Sequence, residues 1–287
     1  MPTTEKQTGP ESSTPDTNHR PIGRTAPEFG MLWLRLIRRL TDLTSTWLVW
    51  KNADSALAGI GDIDSAAAQV EWPVTAAAFR TWASEESLLP VTICPHIPGG
   101  LNLIALPGDS ALILEMGVKA RKMFRGSTLF AIEDLLPLSQ LDPRGFRRLR
   151  PGAEGLFKLV LNGIKPGGRV DEAGLASKHV RDLLREDPEG AQRAAALFGP
   201  ASGRARAGAR AAAAGGWDRG AMLAVETWAL LRGPRHPDVL ARRAWFRLRG
   251  TQSCPVVRSL LRDHRRIPLD RDRWFREVER EHVLHGR

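Results

Sequence analysis

An α+β fold, a small mixed or antiparallel sheet followed by a helical region, is what three features of the chain predict. Apolar runs of strand length fall at residues 47–51, 61–67, 90–96, 101–106 and 111–118. Two of them flank Pro107-Gly108-Asp109-Ser110, a strong hairpin signal. Beyond residue 127 the spacing of apolar residues turns helical. Strands in hairpin order followed by a run of helices indicate α+β and argue against an alternating, doubly wound sheet.

Taken in order, residues 1–27 are rich in Thr, Pro, Ser and Gly and lack an apolar core segment, so a disordered tail and no signal peptide are expected. Residues 27–43 carry Met31, Leu32, Leu34, Ile37, Leu40 and Leu43 at roughly helical spacing, with Pro27 suited to a first turn. Residues 47–51 form the first strand, 53–58 one helical turn stopped by Gly59 and Gly61, and 61–67 the second strand. Pro73 opens a helix to residue 84 that packs through Ala76, Phe79 and Trp82. A third strand at 90–96 and the hairpin complete the sheet. A short helix is expected at 128–136 and a polar Arg-rich loop at 142–151, then helices at 152–164, 170–186 and 189–198.

Gly, Ala, Arg and Ser dominate residues 199–216, which read as a flexible linker or loop. Helical patterns follow at 217–231, 239–249, 255–265 and 271–285. The expected organisation is a tail (1–27), an α/β unit (28–127), a helical region packed on it (128–198), the linker (199–216) and a basic helical C-terminal region (217–287).

The 287 residues carry a net charge of +10, which favours anionic partners such as nucleotides, nucleic acid or acidic surfaces, or else reflects an Arg-, Ala- and Gly-rich composition. Cys94 and Cys254 belong to no CxxC pair, and no second Cys/His pair joins Cys94 and His96, so a zinc site is not expected. No stretch has the length and apolarity of a membrane span, and a cytoplasmic protein with no membrane partner is expected.

The chemistry concentrates at residues 51–65. Asp62 and Asp64 stand at i and i+2, so an extended backbone puts both carboxylates on one face. Two adjacent carboxylates repel, and a hard divalent cation relieves the repulsion. Such a pair on a strand is common to metal-dependent phosphoryl and nucleotidyl transfer sites, where a third acid from a neighbouring strand completes the set. Glu115, an acid among apolar strand residues, is the candidate. The Gly59-Ile60-Gly61 turn permits close backbone approach to a phosphate. Lys119, Arg121, Lys122 and Arg125 follow Glu115 and suit either a phosphate clamp or a solvated face. A Gly-Asp-x-Asp sequence alone also serves as a turn or helix cap, Glu115 suits an ion pair, and His96 suits either a base or a hydrogen-bonded structural role. Arg144, Arg147, Arg148 and Arg150 surround Phe146 and read as a nucleic-acid contact or a solvated loop.

Lys51-Asn52 after a strand, Asp62-Ile63-Asp64 about ten residues on, then Pro95-His96 and Glu115 on a later strand resemble bacterial nucleotidyltransferase-fold proteins. The segment 145–162 resembles the helix that follows their catalytic unit, and the likeness covers roughly residues 44–165. It implies a polymerase-beta-like sheet and two-metal transfer from a nucleoside triphosphate, with Asp62, Asp64 and Glu115 holding Mg²⁺ or Mn²⁺ and Glu115 serving as third ligand or base. Lys51, Asn52, Gly59, Gly61, Lys119 and Arg121 would bind the nucleotide. Asn52-Ala53 stand where the family has Gly-Ser. The acceptor, a small molecule, protein or RNA, is not encoded in any motif. Two other functions compete with this one: a binding module of the same fold without turnover, and a basic RNA-binding protein in which the aspartates are structural.

Overall fold

A computed structural model describes residues 26–59, 62–88, 91–95, 100–105, 114–124, 127–163 and 178–232. The tail at 1–25, the helical patterns at 239–249, 255–265 and 271–285, and Gly61, His96, Arg125 and Cys254 lie outside them.

The first helix, α1 (Ala26–Leu43), buries Phe29, Leu32, Trp33, Leu36, Ile37 and Leu40, the i, i+3, i+4, i+7 stripe of an amphipathic helix. Its arginines face outward, and two reach the end of α3 (Trp72–Glu85), with Arg35 3.2 Å from Glu86 and Arg39 2.8 Å from Glu85. Trp33 stacks on Trp82 at 5.6 Å, and the Trp82 indole N–H donates to the Leu32 carbonyl at 3.1 Å. Gly30 is where α1 meets α2 (Ala53–Leu57). A Cβ there would stand 1.9 Å from the Leu57 carbonyl oxygen, so only glycine lets the two helices approach this closely.

Strands β1 (Leu48–Lys51), β2 (Ile63–Ala66), β3 (Val91–Pro95), β4 (Gly100–Ala105) and β5 (Leu114–Lys119) match the expected strands within a few residues. β4 and β5 pair antiparallel, as the hairpin signal requires. β2 pairs antiparallel with β1 and parallel with β5, aligning Ile63 with Met116 and Asp64 with Gly117.

Strands do not stop at residue 127, contrary to the sequence reading. β6 (Arg121–Phe124) and β7 (Ser127–Ala131) form a separate ribbon, and the expected helix at 128–136 shrinks to α4 (Ile132–Leu135) and one 3-10 turn. The Arg-rich segment expected to be a loop forms β8 (Ser139–Asp142) and β9 (Phe146–Leu149). β9 lies parallel beside β1, giving a seven-stranded sheet in the order β3-β4-β5-β2-β1-β9-β8. Its polarity hid it, because its charged side chains are satisfied by ion pairs with residues distant in sequence.

Both sheet faces are covered. One carries Val49, Ile63, Leu103, Met116 and Val118 against α1 and α3. The other carries Leu48, Trp50, Ala66 and Leu149 against α5 (Pro151–Gly163) and the helices that follow, α6 (Lys178–Glu186), α7 (Pro188–Ala195), α8 (Ser202–Ala213) and α9 (Arg219–Arg232). The expected linker at 199–216 is thus largely a packed helix. α8 buries Ala205, Gly208, Ala209 and Ala212. Alanine is the strongest helix former, and small side chains let neighbouring helices pack closely, so a composition that reads as low complexity folds here. Among the described residues no helix is long and apolar enough to cross a membrane.

Candidate functional site

The site begins with an irregularity in β1. Strict alternation would put Lys51 on the face of Val49, against α1. The register shifts between Val49 and Lys51, so Val49 opposes Ser65 while Lys51 opposes Asp64. A bulge of this kind re-aims one side chain without ending the ladder. Lys51 Nζ consequently lies 2.6 Å from Asp64 Oδ2, and 5.1 Å from the centroid of the Trp50 ring. From β5, Lys119 Nζ approaches the other oxygen, Oδ1, at 3.2 Å. Asp64 is buried, so these two ammonium groups replace the solvation its charge has lost.

Alternation along β5 places Leu114, Met116 and Val118 in the α1–α3 core and leaves Glu115 and Lys119 on the opposite face, the face of Asp64 and Ala66. Burial, and then repulsion from Asp62 and Asp64, push the Glu115 carboxyl up to about 7, against the pull of Lys119. Asp62 keeps part of its surface exposed, and partial desolvation and the charge of Asp64 likewise raise it. The three predicted carboxylates therefore interact electrostatically. Parallel pairing of β2 with β5 is the reason, since it sets residues 53 positions apart side by side, as Asp64 and Gly117 are. Asn102, on β4, donates from Nδ2 to Glu115 Oε1 at 2.8 Å. The sequence held no signal for it beyond a polar residue inside an apolar run.

Lys122, on β6, contributes a third ammonium 5.3 Å from the Trp50 ring, beside Lys119 at 5.6 Å. Burial, with repulsion from Lys119 and Lys51, lowers it to about 8. It forms no ion pair among the described residues. Arg121 is exposed, opposite Ala131, and joins no ion pair among the described residues.

Asn52 follows Lys51 with φ 61° and ψ 19°, the left-handed region. Asparagine tolerates that conformation better than any other non-glycine residue, so the tight turn that glycine ordinarily supplies persists. The Asn52 N–H donates to Glu154 Oε1 at 2.9 Å, which ties the turn to α5. Gly59 has φ 77°, a requirement for glycine at the end of α2.

A second charged cluster adjoins the first. Arg148 contacts Asp54 at 3.0 Å, Asp142 at 3.2 Å and Glu154 at 3.3 Å. Arg144 contacts Asp54 at 2.5 Å and Asp142 at 2.7 Å, and Lys158 reaches Glu154 at 2.7 Å. Although burial opposes it, contacts with His179, Lys158 and the Asn52 N–H bring Glu154 down to about 2. Asp142 also falls to about 2, where hydrogen bonds from Arg144 and Arg148 overcome burial. Arg147 donates to the carbonyls of Ser45 and Trp47, and Arg150 pairs with Asp187 at 2.6 Å. The arginines around Phe146, expected as a nucleic-acid contact or a solvated loop, are committed to intramolecular partners.

Comparison of the chain with protein-family models, curated proteins and solved structures gave no match. Carboxylate oxygens are the hard donors that Mg²⁺ and Mn²⁺ take, and burial together with like charge disfavours ionisation of Asp62 and Glu115, a penalty that a cation would relieve. The donor chemistry fits such an ion. Among the described residues, however, no three acidic, His or Cys side chains are gathered in metal-holding geometry, and lysines face both oxygens of Asp64.

Proposed function

We propose that the chain is a cytoplasmic nucleotidyltransferase that uses a divalent cation and a nucleoside triphosphate to modify an acceptor hydroxyl. The mutual repulsion of Asp62, Asp64 and Glu115 on one sheet face, beside Lys51 and Lys119, is the observation that supports this reading. Asp62 and Asp64 would hold Mg²⁺ or Mn²⁺, with Glu115 as third ligand or base. A cation there would polarise the transferred phosphoryl group and neutralise its charge. Lys51, Lys119 and Lys122 would hold the anionic oxygens, and the left-handed Asn52 turn would present backbone to them. A Glu115 carboxyl near 7 suits removal of a proton from the acceptor hydroxyl at neutral pH.

A second reading, a nucleotide-binding module without turnover, draws support from the double engagement of Asp64 by lysines. One assay separates the two. The protein is incubated with labelled nucleoside triphosphates and Mg²⁺, beside Asp62→Asn and Asp64→Asn variants. Transfer or pyrophosphate release by wild type, lost in both variants, supports the enzyme. Equal release by wild type and variants removes it, and binding without release leaves the module.

A further inference from the structure

Lysines hold Asp64 where a metal ligand has to be free. Its Oδ2 meets Lys51 Nζ at 2.6 Å without an aligned hydrogen bond, and its Oδ1 meets Lys119 Nζ at 3.2 Å. A hard divalent ion binds carboxylate oxygen at roughly 2.0–2.6 Å. It would therefore sit in the space of the two ammonium groups and repel both. Asp64 can serve the ion or the lysines, not both at once.

The lysines have another attraction within reach. Lys51, Lys119 and Lys122 stand 5.1, 5.6 and 5.3 Å from the centroid of the buried Trp50 ring, a separation at which an indole face stabilises ammonium. The Trp50 indole N–H has no hydrogen-bond partner among the described residues. Lys122 forms no ion pair among them, although Asp64 is near enough to act on its charge. Three cations gathered around a single ring, with one carboxylate shared between two of them, are the components of an anion site.

We propose that Lys51, Lys119 and Lys122 around Trp50 form a tetrahedral-oxyanion site, of phosphoryl or sulfate type, whose filling releases Asp64 for a divalent cation. The proposal rests on the reading of Asp62, Asp64 and Glu115 as a cation site. An anion seated among the lysines draws Lys51 and Lys119 from the carboxylate, and the freed carboxylate completes the cation's ligands. Linkage makes the effect reciprocal, so the cation tightens the anion by the same factor. The lysines thus guard the acid cluster against a cation arriving alone.

The test measures Mn²⁺ binding to the full chain from the EPR signal of free Mn²⁺, in sodium sulfate and in sodium chloride of equal ionic strength. Sulfate should tighten Mn²⁺ binding by about 5-fold or more, the lower end of ordinary coupling between sites. Lys119→Met, with Lys119→Gln as a second variant, should bind Mn²⁺ more tightly than wild type in chloride and respond less to sulfate. Lys122→Met should weaken the sulfate response. Equal Mn²⁺ affinity in the two salts, or no gain in either Lys119 variant, overturns the coupling and leaves the cation site standing. Failure of the wild type to bind Mn²⁺ in either salt overturns the cation site itself, and the coupling with it.

Discussion

Two clusters built from the same number of charges lie side by side, and they have opposite electrostatic character. One joins Asp62, Asp64 and Glu115 to Lys51, Lys119 and Lys122; the other joins Asp54, Asp142 and Glu154 to Arg144, Arg148 and Lys158. In the first, two acids are pushed up; in the second, two are pulled down to about 2. The cations explain much of the difference. A guanidinium is a planar fork that serves several carboxylates at once, and Arg148 touches three. Ammonium groups are point charges, and here two converge on Asp64 while Glu115 accepts a hydrogen bond from a neutral amide. Satisfied charge marks the cluster that holds β9, α2 and α5 together. In the other cluster burial and like charge still oppose the ionisation of Glu115 and Asp62, which is why we propose it as the ligand site.

The contrast breaks first at Glu154. Glu154→Gln removes the charge that Arg148, Lys158 and the Asn52 N–H share, leaving buried cations underpaired, and should cost roughly 3–5 kcal/mol in urea unfolding. In the lysine-bearing cluster the sign reverses. Glu115→Gln replaces an acid whose ionisation is opposed by burial and by two neighbouring carboxylates, so stability at pH 8 should rise, by about 1–3 kcal/mol, while any transfer activity falls.

Acid and alkali should act on the two clusters in opposite directions. The ordinary glutamate value is 4.5, and Glu154 lies at about 2 when folded. Between those values the unfolded chain binds more protons, so this contribution to stability is lost as pH falls from about 4.5 to about 2. Glu115 lies at about 7 when folded, so between 4.5 and about 7 the folded chain binds more protons. Its contribution to stability falls as pH rises through that window. Unfolding curves from pH 3 to pH 8 should show that fall in wild type, and Glu115→Gln should remove it.

The smallest effect sharpens the boundary between the clusters at Asn52. Asn52→Gly keeps the left-handed turn and should change stability by less than about 1 kcal/mol, whereas Asn52→Ala should cost up to about 1–2 kcal/mol, because alanine keeps the crowded Cβ and loses the short polar side chain that makes this region tolerable. Loss of Mn²⁺ or nucleotide binding in the alanine variant alone would show that the turn, and not the amide side chain, serves the site.

By itself, the sequence determined a good deal of this protein. Apolar period marked α1 and β1 to β5, and the Pro-Gly-Asp-Ser hairpin fixed the antiparallel pairing of β4 and β5. The spacing of Asp62 and Asp64, and the isolation of Glu115 in an apolar run, singled out the acids. These are local signals, carried by residues close in the chain. Tertiary structure alone decided which charges meet. The β1 bulge that turns Lys51 toward Asp64, the parallel β2–β5 pairing that sets Glu115 against the aspartates, and the contacts of Arg148 with Asp54 and Asp142 depend on the path of the chain. The same holds for β9, whose arginines read as solvated until their partners are known, and for α8, whose alanines read as a linker until the neighbouring helices cover them. Periodicity reports whether a side chain is apolar enough to be buried. Whether a charge is neutralised depends on residues as far as 102 positions away, as Asn52 and Glu154 are, and no local pattern carries that information.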